Sequence, residues 1–261
     1  MTVQRLKEIR KKILPDLIFL METKNTSETV LQYLQWSDYP SHFLVPPISP
    51  GAGGLALFWK QSLEVDIISS NQHFIDTKIK TKGRSFFATF LYGEPEKTKR
   101  LEIWNLLQNQ VARSEPWLIT GDFNDIIHGD EKEGGPPRPE GSFTDLRSFM
   151  SSCDLFDLKH TGNFLSWRGK RHTHVVRCRL DRVMANSEWV LAYPSGRSEY
   201  LRFEGSDHRP VVTSFDPIKK ARKGLFRYNR SLKENEEVST LICEAWERDP
   251  STSVEVKLQS C

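Results

Sequence analysis

The sequence predicts an α+β fold in which a mixed β-sheet sandwich carries helices on its outside. Helical and strand-like segments are interleaved along the 261 residues. Several strand-like segments nevertheless follow one another without a helix between them, which argues against a strictly alternating parallel sheet. A mixed-sheet sandwich accommodates both observations. The length suits one large domain with an appendage and does not require two domains.

Apolar residues at helical spacing predict the helices. In the first helix Val3, Leu6, Ile9 and Ile13 recur between basic residues, and Pro15 ends the pattern. This pattern indicates an amphipathic helix that opens the fold. The other predicted helices span residues 27–34, 101–111 and 143–150.

Short apolar runs bounded by turn residues predict the strands. The run Leu17–Met21 ends at Glu22, and the glycine-rich turn Gly51–Gly54 precedes the next run. The predicted strands span residues 17–21, 55–59, 65–69, 74–79, 85–91, 117–120, 175–184 and 211–215.

The composition changes near residue 217. A basic stretch at 219–223 is followed by an apolar helical stripe that includes Leu241 and Trp246. We therefore predict a main domain over residues 1–216. Residues 217–261 are predicted to form a basic linker and an amphipathic helix.

Bulk properties say little about partners but more about compartment. The net charge is only +3, which favours no particular class of partner. The four cysteines have no zinc-ligand spacing, which favours reduced thiols in an intracellular protein. The N-terminal apolar run of five residues is too short for a signal peptide or a membrane span. We expect a protein of the nucleus or cytoplasm without a transmembrane segment.

Polar residues capable of phosphate chemistry stand directly beside the apolar strands. Strand ends offer rigid positions that solvent can reach, and functional sites gather there. Carboxylates suit a hard cation such as Mg²⁺, a histidine can exchange protons near neutral pH, and Asn and Tyr can donate to phosphate. Together they suit metal-assisted hydrolysis of a phosphate ester. These residues are Glu22, Tyr92, Asp122, Asn124, Asp181, Asp207 and His208.

Taken singly, each of these residues has a structural explanation. Glu22 could be a solvated loop residue, and Asp122 with Asn124 could form an Asx-type turn. Tyr92 could be an aromatic at the edge of the core. The functional interpretation therefore depends on all of them occurring in one order.

That order resembles the endonuclease/exonuclease/phosphatase superfamily, which includes DNase I, apurinic/apyrimidinic endonucleases and the endonuclease domains of LINE retrotransposons. The resemblance covers roughly residues 1–216. Gly-Asn-Phe-Leu-Ser-Trp at 162–167 and Phe-Arg-Tyr at 226–228 resemble plant LINE proteins in particular. The stretches that carry the wider resemblance are 19–24 (FLMETK), 53–59 (GGLALFW), 91–93 (LYG), 119–126 (ITGDFNDI), 179–182 (RLDR) and 206–210 (SDHRP).

The resemblance implies a DNase I-like, four-layer α/β/β/α sandwich and a Mg²⁺-dependent endonuclease, with Mn²⁺ as an alternative ion, that nicks DNA. It implies no small-molecule cofactor, and we expect a monomer. Glu22 would be the principal metal ligand, and Asp122 and Asp207 of the same acidic cluster would also bind the metal. Asp122 would orient or deprotonate the attacking water. Asn124 would hold the scissile phosphate, and Tyr92 would contact it. Asp181 would orient His208, which would stabilise or protonate the phosphate.

One departure from the family pattern bears on activity. The superfamily normally opens with a strand that ends in Asn, and this sequence begins at the helix expected to follow it. We therefore expect an N-terminally truncated domain with reduced turnover. The alternatives are a catalytically inactive nucleic-acid-binding remnant, a phosphatase that acts on inositol phosphates, and an unstable pseudogene product.

A basic stretch with an aromatic residue, at positions 167–182, predicts contact with a phosphate backbone. It includes Trp167, Arg168, Arg177, Arg179 and Arg182. The alternative is a solvated hairpin whose charges only face water. If the stretch contacts DNA, binding weakens steeply with salt.

Overall fold

The fold was analysed in a computed structural model, which describes residues 3–49, 51–81, 83–171, 173–203, 205–215 and 240. The described α-helices are α1 Val3–Ile13, α2 Ser27–Leu34, α3 Arg100–Gln110, α4 Thr144–Ser152 and α5 Ser187–Ala192. Short 3-10 helices occupy Lys97–Lys99, Gly129–Glu131 and Glu140–Phe143. None of the helices within these ranges is both long enough and apolar enough to cross a membrane.

The described strands form four sheets. They are β1 Leu17–Met21, β2 Ser41–Val45, β3 Leu55–Trp59, β4 Glu64–Ser70, β5 Phe74–Thr81, β6 Arg84–Tyr92, β7 Trp117–Asp122, β8 Lys132–Glu133, β9 Phe156–Asp157, β10 His160–Thr161, β11 Trp167–Arg171, β12 His174–Cys178, β13 Asp181–Ala185, β14 Arg197–Tyr200 and β15 Val211–Ser214. The largest sheet has the order β4-β5-β6-β7-β13-β9, and a second has the order β1-β3-β2. The two smaller sheets are β10-β14-β15 and β11-β12-β8.

The six-stranded sheet is mixed, as the sequence predicts. Its strands β6 and β7 run parallel, and its other pairs are antiparallel. A parallel pair needs a crossover connection, which α3 supplies between β6 and β7.

The two main sheets pack face to face and are covered by helices on both outer sides. Leu55 and Leu57 of β3 pack against Ile75 of β5 in the core between the sheets. Helices α1 and α2 cover the outer face of the three-stranded sheet, and α3 and α4 cover that of the six-stranded sheet. These layers confirm the predicted α/β/β/α sandwich. All five residues of β3 are buried, which explains its uninterrupted apolar run.

The region predicted as one strand over 175–184 contains two strands, and that prediction is wrong. The backbone amides of Leu180 and Asp181 donate to the Ser166 hydroxyl at 3.0 and 2.9 Å. Because these amides are committed to a side chain, β12 ends at Cys178 and β13 begins at Asp181 in a different sheet.

Several elements were absent from the predictions. Helix α5 and strands β2, β11 and β14 have short or polar sequences that carry little periodic signal. In β14 the buried residues Ser198 and Tyr200 alternate with the exposed residues Arg197 and Glu199. Because all four side chains carry polar groups, the sequence shows no alternation of apolar and polar residues. Apart from residue 240, the predicted linker and helix over 217–261 lie outside the described residues and stay predictions.

A buried cluster of four charges joins β13 to the segments beside it. Arg182 and Arg179 each pair with both Glu131 and Asp157. Arg182 is fully buried, and Glu131 is 4% exposed. The two positive and two negative charges balance, which is the condition under which buried ions are tolerated.

Candidate active site

Three of the predicted site residues stand side by side on neighbouring strands. Tyr92 at the end of β6 and Asp181 at the start of β13 are both register partners of Asp122 at the end of β7. Adjacent strands lie roughly 4.8 Å apart, so these side chains start from closely spaced and rigid positions.

Gly121 allows β7 to approach β6 at this point. Its φ is +140°, and a Cβ atom there would lie 1.9 Å from the carbonyl oxygen of Leu91. Any side chain at this position would therefore force the two strands apart. The glycine of the Gly-Asp-Phe-Asn motif thus places Asp122 directly against the neighbouring strand.

Asn124 forms a tight turn after β7. It adopts a left-handed φ of 50°, a conformation that Asn tolerates better than most residues. Its backbone amide donates to Asp122 Oδ1 at 2.7 Å, and its side-chain amide donates to the Gly93 carbonyl at 2.8 Å. The Asx-type turn considered from the sequence is present, and it fixes both side chains next to each other.

His208 lies between two carboxylates. Its Nδ1 is hydrogen-bonded to Asp181 Oδ2 at 2.9 Å, and its Nε2 lies 3.9 Å from Asp122 Oδ2. The bond to Asp181 fixes the orientation of the ring. The longer distance to Asp122 leaves the Nε2 proton uncommitted to that carboxylate.

The carboxylates around His208 keep its ring protonated. Burial is the largest single influence and acts to lower the pKa of His208, but the hydrogen bond and charge of Asp181 act in the opposite direction. Asp122 and Asp207 add to this effect, and the pKa of His208 rises to about 9. At neutral pH the imidazolium is therefore a proton donor and an anion-binding group.

Burial and a negative neighbour both raise the pKa of Asp122. Burial contributes most to raising the pKa of Asp122, and the charge of Asp181 raises it further. His208 and the amide of Asn124 offset part of this increase, and the pKa of Asp122 is about 7. Asp122 therefore gains and loses its proton in the range where a general base acts efficiently.

We predict that His208 titrates near pH 9 in metal-free protein and that Asp181→Asn lowers the midpoint. The pKa of His208 in the folded chain exceeds the unfolded value of about 6.5. Its contribution to stability is consequently complete below pH 6.5 and is lost as the pH rises through 9. NMR titration of the imidazole ring measures both midpoints. Equal midpoints in the two proteins would contradict the assigned cause.

Glu22 and Tyr92 form the second part of the site. Tyr92 donates its hydroxyl to Glu22 Oε1 at 2.6 Å, and Lys24 Nζ lies 2.9 Å from Glu22 Oε2. Burial acts to raise the pKa of Glu22, but the bonds from Tyr92 and Lys24 outweigh it, and the pKa is lowered. Burial and the charge of Glu22 raise the pKa of Tyr92. Glu22 is thus an ionised acceptor and Tyr92 a protonated donor.

The two parts come from different sheets and meet at Met21. Glu22 directly follows β1 of the three-stranded sheet, where it holds a left-handed φ of 51°. The backbone amide of Asp122 donates to the sulfur of Met21 at 3.4 Å. A left-handed glutamate is uncommon, and such conformations concentrate at functional sites.

Asp207 is directed towards the β11–β12 hairpin. Its Oδ2 accepts from Trp167 Nε1 at 3.3 Å, and its Oδ1 lies 3.5 Å from the Ser206 hydroxyl. Asp207 influences His208 through its charge. The structure places Asp207 beside the site without a hydrogen bond to Glu22 or Asp122 among the described contacts.

The sequence interpretation missed Ser166 and Lys24 as members of the site. Ser166 is fully buried and positions Asp181 by accepting its backbone amide. Lys24 forms the ion pair with Glu22. A buried serine that accepts backbone amides has no distinctive sequence signal. Lys24 ends the stretch 19–24 (FLMETK) that carries the family resemblance, which is the sequence signal for it.

The carboxylate of Glu22 suits a magnesium ion that is bound mainly by water and substrate. Among the described residues, no three His, Cys, Asp or Glu side chains converge to hold a metal. Mg²⁺ commonly uses only one or two carboxylates and completes its shell with water and substrate phosphate. Glu22 is ionised and its side chain is 42% exposed, so it suits such a ligand, with Lys24 as a competitor.

The basic stretch divides into an exposed and a buried part. Arg179 and Arg182 belong to the buried charge cluster, so their predicted contact with a phosphate backbone is wrong. Burial with Glu131 and Asp157 commits both guanidinium groups. Among the described side chains of the β11–β12 hairpin, the exposed basic ones are Arg168, Lys170, His174 and Arg177.

The model of the Endonuclease/Exonuclease/phosphatase family matches residues 2–208. The chain belongs to this family. The seven residues predicted from the sequence all lie within the matched range. None of the curated proteins matches the sequence.

Solved structures share this endonuclease/exonuclease/phosphatase fold. The chain is similar to the endonuclease domain of TRAS1, a telomere-specific non-LTR retrotransposon, with 14% identity, 83% and 93% coverage of the two chains and a TM-score of 0.61. An AP endonuclease from Leishmania major has 14% identity, 83% coverage of each chain and a TM-score of 0.68. The catalytic domain of Xenopus laevis APE2 has 19% identity, 80% and 86% coverage and a TM-score of 0.61. At these identities the similarity establishes the fold.

Proposed function

We propose that this family member is a Mg²⁺-dependent endonuclease that nicks DNA and derives from a plant-type LINE retrotransposon. The observation that carries the proposal is the meeting of two pairs at one end of the sandwich. One pair is His208 with Asp181, next to Asp122, and the other is Glu22 with Tyr92. This combination of a base, a protonated donor and a metal-binding carboxylate suits hydrolysis of a phosphodiester.

Each side chain has a role that follows from its protonation state. Ionised Asp122 orients or deprotonates the attacking water, and protonated His208 stabilises or protonates the phosphate as the bond to the leaving oxygen breaks. Asp181 holds the His208 ring in place. Attack in line with the leaving oxygen gives one product with a phosphate and one with a hydroxyl.

The neutral donors and Glu22 complete the proposed mechanism. Asn124 holds the scissile phosphate with the amide hydrogen that does not donate to Gly93, and Tyr92 contacts that phosphate once its hydroxyl is released from Glu22. Glu22 would hold Mg²⁺, with Mn²⁺ as an alternative, and Asp207 adds negative charge beside His208. A bound divalent ion would offset the charge that develops on the leaving oxygen.

DNA is the substrate that the relatives and the surface favour. The TRAS1 relative is the endonuclease domain of a non-LTR retrotransposon and the Leishmania major relative is an AP endonuclease, so both relatives are endonucleases. The exposed basic residues of the β11–β12 hairpin lie beside Asp207 and His208. We propose a monomer that acts on DNA in the nucleus or cytoplasm.

We expect the wild-type protein to convert supercoiled plasmid to the open circular form with Mg²⁺ and to lose this activity in EDTA. Agarose gels of a time course measure the conversion. His208→Ala serves as the control for a contaminating nuclease, since a contaminant would be unaffected by that change. Nicking that persists in EDTA or in His208→Ala would contradict the proposal.

A second candidate function is nucleic-acid binding without turnover. The ion pair of Lys24 with Glu22 favours it, because the ammonium group competes for the carboxylate that would hold the metal. In that case the protein binds duplex DNA in Mg²⁺ but leaves plasmid intact. Parallel assays with soluble inositol phosphates distinguish a phosphatase from both candidates.

A further inference from the structure

We propose that Arg168 and Arg209, held against the ring of Phe203, form a subsite for a second backbone phosphate of the substrate. This subsite lies beside the position at which His208 meets the scissile phosphate, so the inference rests on the proposed function. The ligand is a phosphodiester group of a nucleic-acid strand. A substrate that has only the phosphodiester under attack does not extend to this subsite.

Phe203 organises the two arginines. The guanidinium carbon of Arg168 lies 4.2 Å from the centre of the Phe203 ring, and that of Arg209 lies 4.1 Å from it. Cation–π contacts of this kind attract a guanidinium group to an aromatic ring. The ring therefore gathers two positive charges that would otherwise repel each other.

Arg209 is fixed before any ligand arrives. Its Nε donates to the Leu165 carbonyl and its Nη1 donates to the Leu201 carbonyl, both at 3.1 Å. A guanidinium group has five N–H donors, and these two bonds leave donors on Nη2 for an anion. Because the group is already immobilised, it loses little conformational entropy when phosphate binds.

Arg168 is tied to the catalytic segment through its backbone. Its amide donates to the Asp207 carbonyl at 2.9 Å, and the preceding Trp167 forms a β-bridge with His208. The side chain of Arg168 is exposed. Arg168 directly follows Trp167 and Arg209 directly follows His208, so each arginine of the subsite is one residue away from the bridge.

The local charge is positive and poorly compensated. Arg177 is the cross-strand partner of Arg168, and it lies 3.4 Å from Glu133 in an exposed ion pair. Burial, with the charges of Arg168 and Arg177, lowers the pKa of Arg209. Within the described residues, neither Arg168 nor Arg209 forms an ion pair with a carboxylate. Phosphate accepts paired hydrogen bonds from arginine and would relieve this repulsion.

The test compares a long and a short substrate. Wild type, Arg168→Ala and Phe203→Leu are assayed on a fluorescent duplex oligonucleotide and on bis(4-nitrophenyl) phosphate, which has one phosphodiester. We expect kcat/KM on the duplex to fall about tenfold in both variants, as for loss of a charged hydrogen bond. The rate with the short substrate should remain unchanged, because that substrate cannot reach the subsite.

Arg197→Ala is the matched control. It removes the same charge from an exposed position at the far end of β14, on the strand that leads to Leu201. Thermal melts verify that all variants fold. Equal losses in Arg197→Ala and Arg168→Ala would overturn the subsite and indicate a general charge effect. An unchanged rate on the duplex in Arg168→Ala would also overturn it and leave the nuclease assignment intact.

A binding measurement separates failure of the subsite from failure of the enzyme. Duplex affinity is measured in EDTA at several salt concentrations. We expect the slope of log K against log salt to decrease by about one in Arg168→Ala. If wild type cleaves neither substrate, the nuclease proposal fails, and this change in slope alone still supports the subsite. An unchanged slope overturns it.

Discussion

Asp122→Asn is expected to reduce DNA nicking by about a thousandfold or more, which is within the range attributed to general acid–base catalysis. The substitution keeps the shape of the side chain and a hydrogen-bond acceptor for the Asn124 amide. It removes the carboxylate that would orient or deprotonate the water. Rates of plasmid nicking under saturating Mg²⁺ measure the loss, and Asp130→Asn, at an exposed position, is the control.

The same substitution should stabilise the metal-free protein at alkaline pH. The pKa of Asp122 in the folded chain, about 7, exceeds its ordinary value of 3.8, so the stability that the protonated carboxyl contributes is complete below pH 3.8 and is lost as the pH rises through 7. Asp122→Asn removes that effect and should melt at a higher temperature than wild type at pH 8. At pH 4, where the folded carboxyl is protonated, the difference should shrink. A variant that is less stable at pH 8 and still nicks DNA would contradict both expectations.

Glu131→Gln is expected to lower the free energy of unfolding by about 3–5 kcal/mol, the usual effect of removing one partner from a buried ion pair. Glu131 pairs with Arg179 and Arg182, and its Oε2 also accepts the Ile127 amide at 2.7 Å. Without its charge, two buried guanidinium groups share one carboxylate, Asp157. Urea denaturation followed by tryptophan fluorescence measures the change.

Glu133→Gln is the matched control for Glu131→Gln, because its ion pair with Arg177 is exposed. Exposed pairs contribute about 0–1 kcal/mol. Burial acts to raise the pKa of Glu131, but Arg182, the Ile127 amide and Arg179 together outweigh it, so the pKa is lowered. Its contribution is therefore present above the unfolded pKa and lost as the pH falls through the folded value. Similar losses in the two variants would show that burial of the cluster does not determine its contribution.

The main layers of the fold were predictable from the sequence because their strands are either apolar throughout or alternate clearly. Strand β3 is buried on both faces, so its five apolar residues are a strong signal. Strand β14 alternates between polar outward residues and the buried pair Ser198 and Tyr200, so it gave no such signal. The break between β12 and β13 depends on Ser166, which is distant in sequence.

The candidate site was predictable as a set of residues but not as a set of contacts. Tyr92, Asp122 and Asp181 could be identified because each lies beside an apolar strand. Their adjacency follows from the order of β6, β7 and β13. The ion pair of Lys24 with Glu22 depends on side-chain conformations that follow a left-handed turn. The burial of Arg179 and Arg182 depends on packing that a run of basic residues does not reveal.

The reactive side chains and the basic surface are carried by two different sheets. Tyr92, Asp122 and Asp181 are anchored by the ladder of the six-stranded sheet, whereas the β11–β12 hairpin contributes its charges from a separate small sheet. Under the proposed function, substitutions along the hairpin would alter which nucleic-acid shape binds while the reacting groups keep their spacing.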